Sequence, residues 1–159
     1  MALLLAVDPG PAVSGWVLFD LDARTVLESG SADPTAHVVS MCEAGSSPGG
    51  REFDLVACEM IASYGMTVGK EVFETCLQIG RICHAREMQV ASVQLVTRMQ
   101  VKSNLCHSAK AKDANVRQAL IDRFGEVGTK KAPGPLFGVS VHAWAALGVA
   151  AYYLDVVHR

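Results

Sequence analysis

Two kinds of apolar pattern alternate along the chain, short unbroken runs and longer stretches with helical spacing. Leu3 to Val7 is unbroken, as expected of a strand buried on both faces. Pro9-Gly10-Pro11 stops it. Gly15 to Asp20 (GWVLFD) predicts a second strand and Thr25 to Ser29 a third, with a turn around Asp20-Leu21-Asp22. Strands spaced this closely imply an antiparallel meander. Pro34 to Glu43 predicts a helix, with Asp33 as N-cap and Pro34 in the first turn. Ala44 to Gly50 (AGSSPGG) reads as a loop.

Phe53 to Met60 (FDLVACEM) predicts a strand with Glu59 near its end. After a turn at Gly65, Thr67 to Glu87 carries Val68, Val72, Phe73, Cys76, Leu77, Ile79 and Ile82 at helical spacing. Val90 to Val96 predicts a further strand. Asp113 to Phe124 predicts an amphipathic helix stopped by Gly125. Gly128 to Gly138, rich in Lys, Gly and Pro, reads as a loop. His142 to Val157 predicts a largely apolar closing helix. A meander feeding alternating helices and strands gives an α/β fold of one domain, 1–159. Its five-stranded mixed sheet, an antiparallel three-strand meander plus parallel strands, has helices on both faces. Ligands of such sheets gather at strand carboxyl ends, where Asp8 and Glu59 both stand.

Composition narrows the class. Of the 159 residues 50% are hydrophobic and 19% charged, a globular balance that argues against disorder. The opening apolar run is broken by Asp8 and has no basic flank, so a signal peptide is not expected. Val141 to Val157 contains His142 and Asp155 and falls short of a membrane span. Five cysteines, Cys42, Cys58, Cys76, Cys83 and Cys106, form no C-x-x-C pair. They read as reduced, packed thiols of a cytoplasmic protein rather than a disulfide framework or a zinc site. The net charge of −2 conceals an asymmetry: Arg98 to Lys131 holds eight Lys and Arg against three Asp and Glu. A basic segment in an otherwise acidic chain is either a solvated face or a surface for phosphate.

Asp8 directly follows an apolar strand, and Glu59 ends another where a buried strand would take an apolar residue. Two carboxylates side by side at one sheet edge repel unless a cation neutralises them, and hard oxygen ligands suit Mg²⁺ or Mn²⁺. The segments LLLAVDPGPAVSGWVLFD, FDLVACEMI and VHAWAALGVAAYY resemble, in this order, the three catalytic segments of RuvC-type Holliday junction resolvases. These belong to the RNase H-like superfamily, and the similarity is nearest to their compact phage or prophage branch. The D-P-G-x-x-x-x-G-W stretch is the most specific part. The resemblance implies an RNase H-like fold and a homodimer that binds four-way DNA junctions. It also implies paired symmetric nicks made with a divalent metal, and no organic cofactor.

Carried over position by position, Asp8 matches the first-strand aspartate and Glu59 the fourth-strand glutamate. His142 matches an acidic position at the start of the last helix, where some members carry histidine. The family's final aspartate falls three residues later, on the same helix face, and here that residue is Ala145. The metal set implied is Asp8, Glu59 and His142, with the imidazole as ligand or as general base toward water. Asp113 either completes the site or caps its helix. Lys102 matches one of the family's essential lysines, and the second falls at Asp113 with Lys112 beside it. Lys102, Lys110, Lys112, Lys130 and Lys131 are candidate DNA contacts. Tyr64 either stacks on a base or packs internally. The 128–138 loop, expected to be mobile, either grips DNA or merely connects. Two rivals stand beside the resolvase. One is a nuclease of the same fold acting on flaps, forks or RNA–DNA hybrids, and the other a junction-binding protein impaired in cleavage by Ala145. An actin-like phosphotransferase shares the D-x-G opening, but this chain is too short for its two domains.

Overall fold

The computed structural model describes residues 1–89 and 91–159. The elements run β1 (Leu3–Asp8), β2 (Val13–Asp20), β3 (Thr25–Pro34), α1 (Thr35–Ala44), β4 (Leu55–Met60) and α2 (Lys70–Glu87). Then follow β5 (Val93–Thr97), α3 (Arg98–Cys106), α4 (Asp113–Phe124) and α5 (Ala143–Tyr152). A single wider turn, Tyr153–Val157, continues α5 and closes with the His158 N–H on the Tyr153 carbonyl. The strands form one five-stranded sheet in the order β3-β2-β1-β4-β5. The meander pairs antiparallel, while β4 and β5 add parallel to β1. This is the mixed sheet expected from the sequence.

Alternation along the strands builds two cores. Leu3, Leu5, Val7, Trp16, Leu18, Val56 and Cys58 face α1 and α2, meeting Val38, Met41, Ile79 and Ile82. Leu4, Ala6, Val17, Phe19, Ala57 and Val96 face the other way onto α3, α4 and α5. β1 and β2 are covered on both sides, which is why their sequences read as continuous apolar runs. α5 is apolar all round because it is sandwiched between β1–β2 and α3–α4. On the opposite face Arg86, only 3% exposed, donates to the Cys42 and Asp54 carbonyls and lies over the Phe53 ring. It thereby ties the end of α1 to the approach of β4.

Several boundaries differ from the sequence reading. β3 runs on to Pro34, paired with β2 across two irregularities in register, although Ser29 to Asp33 is poor in strand formers. Asp33 does not cap α1: it accepts the Trp16 indole N–H at 2.6 Å, and no side chain caps the helix. α2 begins at Lys70, and its Phe73 and Leu77, expected on the packed stripe, are 62% and 70% exposed. The strand expected from Val90 begins at Val93, and Val90 itself lies outside the described residues. α3 has no counterpart in the sequence reading. Nor is the 128–138 loop loosely held. Gly134 and Leu136 donate to the Val127 and Glu126 carbonyls, and buried Leu136 and Val139 anchor it in the core. No helix among the described residues is long and apolar enough to cross a membrane.

Candidate active site

Register brings the two carboxylates together. β1 and β4 run parallel with Val7 opposite Cys58, so the next pair along is Asp8 and Glu59. Parity then aims them. Asp8 shares a face with Leu4 and Ala6, and Glu59 with Ala57, so both point to the α5 side of the sheet. His142 arrives from that side. Its backbone is seated against Gly15, which pairs with Asp8 across the meander, and a Cβ at Gly15 would lie 2.3 Å from the His142 carbonyl carbon. The absent side chain at Gly15 is what admits the start of α5. The His142 N–H is held by the Ser31 carbonyl at 3.2 Å, and its Nδ1 stands 3.4 Å from Asp8 Oδ2.

These side chains line an open cleft of about 530 Å³ together with Arg98, Asp113, Arg117, Val141, Trp144 and Ala145. Arg98, the first residue of α3, reaches Glu59 Oε2 at 3.4 Å and Asp113 Oδ1 at 2.6 Å. Lys102 stands 3.7 Å from Asp113. Asp113 is therefore already matched by two cations, and the Arg98 bond in particular holds its pKa below the usual carboxylate range. It is the first residue of α4, not its cap.

Asp8 and Glu59 are tuned the other way. Burial pushes Asp8 up to about 6, with Arg98 opposing the rise. Burial first, and then repulsion from Asp8, pushes Glu59 up to about 7, again against Arg98. Even with a guanidinium alongside, the pair is short of positive charge. Among the described residues no three His, Cys, Asp or Glu side chains gather closely enough to hold a metal by themselves. That is compatible with Mg²⁺, which takes one or two carboxylates, keeps several waters and uses substrate phosphate oxygens. A hard, unsaturated donor set of this kind suits it. Ala145 lines the same cleft, one helical turn from His142.

The remaining expected residues lie apart. Tyr64, half exposed and with φ of 49°, borders a second groove beside α3 with Met99, Gln100 and Tyr152. Lys110, Lys112, Lys130 and Lys131 are exposed and unpaired by any carboxylate among the described residues. Arg98 is the residue that sequence reasoning missed. Its signal was Thr97-x-x-Gln100: the Thr97 hydroxyl caps the Gln100 N–H, and the Gln100 side chain accepts from the Thr97 N–H.

No protein-family model matches the chain, and no curated protein matches its sequence. Solved structures do. The Thermus thermophilus RuvC structure aligns with a TM-score of 0.66 at 17% identity, covering 96% of this chain and 95% of that one. The chain has a RuvC-like fold. A second RuvC-like match, T. thermophilus RuvC in complex with Holliday junction substrate, aligns at 0.63 and 17% identity, covering 96% and 93%. The RuvC-like fold thus extends over nearly the whole length of both chains.

Proposed function

We propose that this chain is a divalent-metal-dependent endonuclease that resolves four-way DNA junctions by paired symmetric nicks. The observation that carries this reading is the desolvated Asp8–Glu59 pair at the ends of adjacent parallel strands, facing His142 across an open cleft. Asp8, Glu59 and His142 would hold Mg²⁺ or Mn²⁺. When bound, such a cation supplies Lewis-acid stabilisation of charge on the phosphate and a more acidic attacking water. The protein's own groups do the rest. Asp8 faces the His142 ring at Nδ1, so the other ring nitrogen is the one left either to ligate the cation or, where it does not, to take a proton from water. Arg98 and Lys102 place fixed positive charge beside the phosphate, which counts more as charge develops. The products would carry 5′-phosphate and 3′-hydroxyl ends, as in the resolvases the chain resembles.

Paired nicks on a four-way junction need two copies of the site related by symmetry, hence a homodimer. Exposed Phe73 and Leu77, one turn apart on α2, supply an apolar face for the second copy. Ala145 in the cleft favours one alternative, a chain that binds junctions without cutting them. The test is a panel of labelled four-way junction, flap, fork and RNA–DNA hybrid with Mg²⁺ or Mn²⁺. Nicks at symmetric positions of the junction are expected. Cleavage confined to flaps, forks or hybrids, or tight junction binding with no nick, would transfer the reading to one of the alternatives.

The lysines carry a separate expectation. If Lys102, Lys110, Lys112, Lys130 and Lys131 meet phosphates, junction affinity falls steeply with salt. Neutralising Lys130 and Lys131 together then flattens the log–log slope by about two, near one for each phosphate left without its cation. A slope unchanged in that double variant places the loop away from DNA.

A further inference from the structure

The cleft holds a second group of residues that the hydrolytic chemistry does not use. Arg117 of α4 lies over the Trp144 ring at 4.7 Å from its centroid, and both line the cleft with Asp8, Glu59 and His142. Arg117 is exposed and makes neither an ion pair nor a side-chain hydrogen bond among the described residues, and the Trp144 indole N–H is likewise without an acceptor. Trp144 is half-buried on a helix whose neighbours Ala143, Ala146 and Leu147 are fully buried. Beside it Val141, a β-branched residue, adopts φ of 46° with 66% of its surface exposed. A β-branched residue in the left-handed region is strained, and such outliers persist where the surroundings enforce them, often at ligand sites. Here the enforcement is visible, since the next residue is locked against Gly15 and Ser31.

We infer that the Arg117–Trp144 stack is a nucleobase platform that holds one base of the strand adjoining the phosphate to be cut. This rests on the nuclease reading above. The Arg117 guanidinium over the indole is planar, cationic, exposed and without a polar partner among the described residues, which suits an aromatic ring carrying a neighbouring phosphate. Arginine planes and aromatic rings are the surfaces on which unstacked bases settle. Val141 adds an apolar edge, and Arg98 supplies a further cation in the same cleft. An alkyl ligand would leave the Arg117 donors unused, and an isolated phosphate would leave the indole and Val141 unused. A nucleotide uses all three.

The experiment walks a single abasic residue through the strand on each side of the nicked phosphate, in the junction, and measures nicking rate with Mn²⁺ and affinity with Ca²⁺. In the parent, loss of the base at one position should slow nicking about tenfold, the order of one base-stacking interaction. Arg117→Met and Trp144→Leu should be slower on intact DNA and indifferent to the abasic residue at that same position. Arg117→Met keeps the half-buried indole in place, so it carries the test should Trp144→Leu fold poorly. A parent that nicks normally with every abasic substrate overturns the platform and leaves the nuclease standing. So does an Arg117→Met protein that keeps the parent's position dependence. A parent that neither binds nor nicks branched DNA overturns the nuclease reading and the platform together.

Discussion

Asp8→Asn is expected to abolish nicking while making the metal-free protein more stable. The rate should fall by at least about a thousandfold, the scale of losing one preorganised charge at the reacting phosphate. Junction binding should persist or tighten, because a carboxylate that repels phosphate is gone. The stability effect has the opposite sign for a physical reason. Asp8 rises from 3.8 to about 6 on burial, so the native chain binds that proton more tightly than the unfolded one. The contribution of Asp8 to stability is therefore highest below about pH 4, falls as pH climbs toward 6 and 7, and stays low above. Asparagine escapes this. At about 1.4 kcal/mol per tenfold in proton affinity, the gain at pH 8 is roughly 3 kcal/mol, or roughly 6–12 °C in Tm for a chain this size. Melting parent and variant in EDTA at pH 5 and pH 8 checks it. The variant's advantage should appear at pH 8 and shrink at pH 5. Equal melting at both pH values would mean that Asp8 is solvated and not poised for a cation.

His142→Ala and Ala145→Asp probe the helix start. His142 Nδ1 contacts Asp8 at 3.4 Å, and Ala145 lines the same cleft. Removing the imidazole takes away a ligand or a base, and nicking should drop about a hundredfold or more. Ala145→Asp adds a hard anionic oxygen to a donor set with only two carboxylates, so less Mg²⁺ should be needed for half-maximal nicking. Rates measured against Mg²⁺ concentration for parent and both variants decide this. Normal cleavage by His142→Ala would make the histidine structural. An inert parent with an active Ala145→Asp variant would establish the natural chain as a junction binder.

The parts of the fold legible in the sequence were those where one force dominates. β1 and β2 are buried on both faces, so their apolar runs admitted no other reading. Glu59 stood out because a carboxylate at the end of such a run is destabilising unless something compensates it. α3 was hidden because it buries only Val101 and is otherwise polar. Its existence is written in a capping pair rather than in periodicity. Arg98 was hidden with it, since nothing in the primary structure says that the residue after Thr97 reaches back to Glu59. The second half of β3 is weak in intrinsic strand preference and is held by pairing with β2 and by the Trp16–Asp33 hydrogen bond. The seating of His142 depends on Gly15, a contact between residues 127 positions apart that only the folded chain makes.

The most direct test puts the parent and Asp8→Asn side by side on one labelled four-way junction with Mn²⁺, reading both strands at nucleotide resolution. Paired nicks at symmetry-related positions are expected for the parent, and bound, uncut junction for the variant. A variant that nicks at the parent's rate would contradict the assignment of Asp8 to the active site.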